Sequence, residues 1–78
     1  MKTHEFWRET KTGEIWAIEL SDGAVSGCCG PLAPDAVATD YLLGYDYTAA
    51  LAAELDRRRE EFELLGEEAL LFLHAASD

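Results

Sequence analysis

Two adjacent cysteines, Cys28 and Cys29, are the side chains of this chain best suited to covalent chemistry. A thiol attacks only as its thiolate, so it needs a base or a positive charge close by. His4, Arg8 and His74 are the candidates for that role, and none stands at a spacing that makes it a neighbour. Cys28 and Cys29 are therefore candidates for a thiol or redox site, weighed against the simpler expectation that free cysteines pack as small hydrophobes. Consecutive residues of a strand point to opposite faces, which would strain a disulfide between them, so both thiols are expected to be reduced. His4, Cys28, Cys29 and His74 are also the right ligand types for zinc, but they lack the CxxC or HxxxH spacing of such sites. Neither a metal nor a cofactor is expected. Carboxylates recur in pairs, at Glu60-Glu61, Glu67-Glu68 and Asp35 with Asp40. Acid–base catalysis needs carboxyls in a partly buried cleft, whereas these fall on a charged helical face or in a loop. With no glycine-rich phosphate loop and no Ser/His/Asp motif, a non-catalytic protein is the leading expectation and a cysteine enzyme the alternative.

The segment Asp40-Tyr41-Leu42-Leu43-Gly44-Tyr45-Asp46-Tyr47 carries the strongest binding signal. Tyrosine combines apolar area with a polar tip and is favoured at interfaces, and neighbouring aspartates favour a basic partner. Asp40, Tyr41, Tyr45, Asp46 and Tyr47 are thus the predicted partner contacts; the competing expectation is that the rings close the core over the sheet. The chain has 78 residues, with 16 acidic and 6 basic, and a net charge of −10. Such a surface repels phosphate backbones and anionic lipid, which excludes direct nucleic-acid or membrane binding as the first expectation. The longest apolar run, Ala69 to Leu73, falls far short of the roughly 20 residues that span a bilayer. The polar N-terminus has no apolar signal core, so a soluble, cytoplasmic protein is expected.

The elements that must position these residues can be read in outline. The length suits one small acidic domain over residues 1–78 with a thin stability margin. Three strands are expected: His4 to Thr10, Glu14 to Leu20, and Ala24 to Cys29. Asp22-Gly23 suits a two-residue type I′ turn, which pairs Leu20 with Val25, Ile18 with Gly27 and Trp16 with Cys29. The first hairpin admits two registers. A turn at Thr12-Gly13 sets Trp7 opposite Ile18; a three-residue loop, Lys11 to Gly13, sets Phe6 opposite Ile18 and Arg8 opposite Trp16. The second is preferred because it gathers Phe6, Trp16, Ile18, Leu20 and Val25 on one face, although it sets Glu5 against Glu19. It places Cys29 on the core face and Cys28 on the other.

After Gly30-Pro31-Leu32, a short helix is expected from Pro34 to Leu43, closed by Gly44. A second should start near Thr48, capped by Asp46 or Thr48, with Leu51, Leu55, Phe62 and Leu65 on one face. Glu54–Arg58, Arg57–Glu61 and Arg59–Glu63 are spaced to support it. The helix either ends at Gly66 or continues, extending an imperfect heptad seam to Ala76 with Arg58 as its intruder. The fold class is therefore α+β: a three-stranded antiparallel meander followed by a short helix and one or two C-terminal helices. Leu70, Leu71, Phe72 and Leu73 would point around most of a helix, more than one small sheet covers. A homodimer with contacts at Leu70, Phe72 and Leu73 is expected, and a structural homo-oligomer subunit is a further functional alternative.

Overall fold

The computed structural model describes residues 1–37 and 39–66, with the backbone alone at 39–41. Strands β1 (Lys2–Glu9), β2 (Ile15–Ser21) and β3 (Ala24–Leu32) form an antiparallel meander. A fourth strand, β4 (Phe62–Leu64), returns to pair with β1, giving the order β3-β2-β1-β4. Among the described residues there is one α-helix, α1 (Ala52–Arg57), with short 3-10 turns at Pro34–Ala36, Thr39–Gly44 and Arg59–Glu61. The fold is α+β, but the described residues from 34 to 66, where helices are expected, are mostly turns and a strand.

Both faces of the sheet are buried, and this decides the register. Trp7, Ile18, Leu20, Val25 and Cys28 face α1, where they meet Ala52 and Leu55, with Trp16 and Phe62 at the margin. Phe6, Ile15 and Ala17 face the other way, under Val37 and Leu65, with Cys29, Leu32, Leu42, Tyr45 and Tyr47 packed against them. The first hairpin takes neither expected register. Trp7 lies opposite Trp16, Phe6 opposite Ala17 and Glu5 opposite Ile18, across a four-residue loop from Thr10 to Gly13. Gly13, at φ +77°, closes that loop by donating its N–H to Glu9 O at 2.8 Å. A single apolar face was the wrong premise: Phe6 and Trp7 are neighbours, and each has a core of its own to enter.

The Asp22-Gly23 turn forms as read, with positive φ at both residues, Leu20 opposite Val25 and Ser21 opposite Ala24. Beyond it the register shifts, so that Gly27 lies opposite Glu19 and Cys28 opposite Ile18. Ser26 is the extra residue of a β-bulge, its hydroxyl donating to Glu19 Oε1 at 3.1 Å. The bulge turns Val25 and Cys28 to the same face although an even alternation would put them on opposite ones. The expected placement of the cysteines is therefore reversed: Cys28 faces α1, and Cys29 lies opposite Ala17 on the other side.

The Pro34–Leu43 helix is replaced by the two 3-10 turns, and Val37 between them drops into the core at 1% exposure. The expected long helix stops at Arg58. Leu55 is buried under the sheet, but Phe62 enters β4 and Leu65 crosses to the opposite core. The reason is the open edge of β1, whose backbone groups need partners. β4 supplies them through pairs Trp7–Leu64, Arg8–Glu63 and Glu9–Phe62, and Leu65 donates its N–H to Phe6 O at 2.9 Å. Arg58 is no intruder in a seam. Its guanidinium bonds Glu61 and reaches Glu9 at 3.1 Å, with Glu54 at 3.9 Å and the Phe62 ring beneath it. Of the expected helical pairs, Glu54–Arg58 forms, whereas Arg59 pairs with Asp56 and Glu63 with Arg8. The dimer contacts expected at Leu70, Phe72 and Leu73, and the heptad positions beyond Gly66, lie outside the described residues.

Candidate functional site

The chain from Tyr45 to Leu51 is laid against β3 as a strap. Thr48 forms a two-way backbone bridge with Cys28: Cys28 N donates to Thr48 O at 2.9 Å, and Thr48 N to Cys28 O at 3.0 Å. Gly27 allows the close approach, since a Cβ there would lie 3.2 Å from Tyr47 Cβ. The tyrosines anchor the strap from within. Tyr45 donates its hydroxyl to Ala36 O at 2.8 Å and sets its ring edge-on to Phe6; Tyr47 donates to Leu42 O and packs on His4, ring centroids 5.1 Å apart. Burial, aided by nearby negative charge at Cys29, Glu19 and Tyr45, raises the Tyr47 phenol to about 12. Asp46, between the two tyrosines in sequence, is exposed and pairs with no cation among the described residues.

Beside the strap lies a cleft of about 220 Å³, lined by Trp16, Cys28, Cys29, Gly30, Asp46, Thr48, Ala50 and Leu51. Its floor is set by close packing at Gly30, where a Cβ would meet Trp16 Cε3 at 2.9 Å. Trp16 Nε1 is buried and has no hydrogen-bond partner among the described residues, a condition that costs about 1–3 kcal/mol. Leu51, on the rim, holds φ +66° and is 52% exposed. An L-residue pays roughly 1–2 kcal/mol for this left-handed conformation.

The two thiols differ. Cys28 is 4% exposed and donates its S–H to Ala50 O at 3.1 Å. Burial, with a smaller contribution from Cys29, pushes its thiol up from the usual range. That environment suppresses the thiolate. Cys29 is half-buried on the cleft wall. His4 does not approach either thiol as a base; its Nε2 lies 3.3 Å from Glu19 Oε2. Burial works against the Glu19 carboxylate, but hydrogen bonds from Ser26 and His4 and the charges of Lys2 and His4 outweigh it and hold Glu19 below the usual range. Among the described residues no three His, Cys, Asp or Glu side chains are placed to hold a metal ion, and His74 lies outside them. No helix among them is long and apolar enough to cross a membrane.

Of the residues read from sequence, the structure thus brings Cys28, Cys29 and Asp46 to one cleft, and Tyr45 and Tyr47 anchor the strap beside it without lining it. Asp40 and Tyr41 fall in the 3-10 turn Thr39–Gly44, and their side chains lie outside what the structure describes. Trp16, Thr48, Ala50 and Leu51 were missed. The signal that marks them is the glycine on either side of the cysteine pair, Gly27 and Gly30, each at a point where other chain comes within contact distance. Comparison with protein families, with curated proteins and with solved structures returns no match for this chain.

Proposed function

We propose that this protein is a small, non-catalytic binding module that engages a basic protein partner through the strap and the cleft beside it, in a cytoplasmic setting. The observation that carries the reading is the strap itself. Two tyrosine hydroxyls and a backbone bridge hold it, and it presents to the cleft an exposed carboxylate, Asp46, unpaired among the described residues, together with the exposed Leu51. An anchored loop presenting one charge and apolar area is a frequent form of recognition site. The net charge of −10 favours approach of a cationic surface and disfavours phosphate. The thiol-enzyme reading has less support, because the Cys28 proton is bonded and buried. An array of basic, neutral and acidic peptides, probed with the labelled protein at near-physiological salt, tests the proposal. Retention confined to basic sequences is the expected result; equal retention across the array, or none, would overturn it.

A further inference from the structure

We infer that the cleft between β3 and the strap is a subsite for one lysine or arginine side chain of a bound peptide. This rests on the binding-module reading and adds to it the residue that is recognised and the place that receives it. At about 220 Å³ the cleft is smaller than the roughly 300–1,000 Å³ of small-molecule sites, and suits a single side chain. Its walls are apolar and aromatic where a methylene stem would lie, at Trp16, Ala50 and Leu51, and they carry one carboxylate, Asp46, where a cation would end. Among the described residues no basic side chain lines it and none pairs with Asp46. A long cationic side chain is the group that matches an apolar slot with a charged rim, because its stem and head have opposite needs. One further feature fits a peptide. Leu51 already sits in a costly left-handed conformation at the rim, so a shift of the strap that admits the ligand can also relieve it.

The test uses amidated tetra-arginine and tetra-lysine peptides, their citrulline and acetyl-lysine counterparts, and the intact chain labelled with nitrogen-15. Amide and indole shifts are followed by NMR at about 0.15 M salt. The expected result is that shifts induced by the basic peptides concentrate on the Trp16 indole and on the amides of Cys29, Thr48 and Leu51. Asp46→Asn should weaken binding by about fivefold, the upper end for a partly exposed ion pair. Asp35→Asn, which removes another exposed charge, from the Pro34–Ala36 turn, should change it less than twofold. Shifts scattered over the acidic surface, with equal effects of the two variants, would overturn the subsite while leaving a basic partner in place. Equal binding of the uncharged counterparts would also overturn it, and absence of any shift would overturn both the subsite and the binding reading.

Discussion

Cys28 and Cys29 border the same cleft, but their thiols differ. The bulge at Ser26 rotates Cys28 under α1, where its thiol is buried and bonded to Ala50, while Cys29 emerges on the cleft wall. Alkylation rate follows thiolate fraction and access, so Cys29 should react with iodoacetamide well before Cys28 in the native state. Mass spectrometry of peptides from timed native and denatured reactions checks this; Cys28 reacting first would contradict the burial described. Tyr47 gives a second residue-level prediction. Its phenol ionises near 12 in the folded chain, above the roughly 10 of an exposed tyrosine. A raised folded value means the native state holds the proton more tightly. The corresponding stability is fully present below about pH 10 and is lost as pH rises toward 12. Denaturant midpoints measured between pH 9 and pH 12, at values chosen to bracket that window, should therefore fall for the native chain and fall less steeply for Tyr47→Phe. A parallel decline in both would show that other groups set the alkaline limit.

At the scale of elements, legibility in the sequence followed how local the constraint was. Asp22-Gly23 demands positive φ at two residues and therefore declares its turn, and the pairs next to it came out as read. Ser26 declares nothing: its role as the extra residue depends on Glu19, across the hairpin, accepting its hydroxyl. The spacing of Leu55, Phe62 and Leu65 fits one helical face, yet the three residues end in a helix, a strand and the opposite core. What overrides the helical pattern is the unpaired edge of β1, a non-local demand that no window of sequence around residue 60 contains. Arg58 is where the two demands meet, ending α1 and tying β1, α1 and the following turn together through Glu9, Glu54 and Glu61. Arg58→Ala should lower the thermal midpoint by more than Arg57→Ala, since Arg57 is exposed and makes none of these pairs. Arg58→Lys should recover only part of the loss, because a lysine cannot bond several carboxylates through one planar fork. Calorimetry on the three variants decides it, and equal midpoints for Arg58→Ala and Arg57→Ala would show that β4 is held without this junction.

At the scale of the whole molecule, charge is the dominant fact. The net −10 sits on a chain whose radius of gyration is 11.8 Å. In dilute buffer of about 0.01 M the screening length is roughly 30 Å, so every carboxylate is repelled by the others; near 0.15 M it falls to about 8 Å and the repulsion becomes local. Salt also weakens the attractive pairs, among them the N-terminus with Asp22 at 2.5 Å, Arg8 with Glu63, and Arg59 with Asp56 at 2.6 Å. Those contacts are short and individually small, and they engage only part of the negative charge. Glu14, Asp35, Asp46 and Glu60 are exposed and pair with no cation among the described residues. Long-range repulsion therefore outweighs the attraction of these pairs, and it is what screening removes most completely. The thermal midpoint should rise as sodium chloride is raised from about 0.01 to 0.15 M and then level off as the screening length drops below the spacing of charges. Glu60→Gln separates this effect from general salting: it should raise the midpoint in dilute buffer, and the gain should shrink at the higher concentration. A midpoint that falls with salt would mean that the paired carboxylates around Arg8, Arg58 and Arg59 outweigh the unpaired ones, and that the acidity of the surface carries no folding penalty for a cationic partner to relieve.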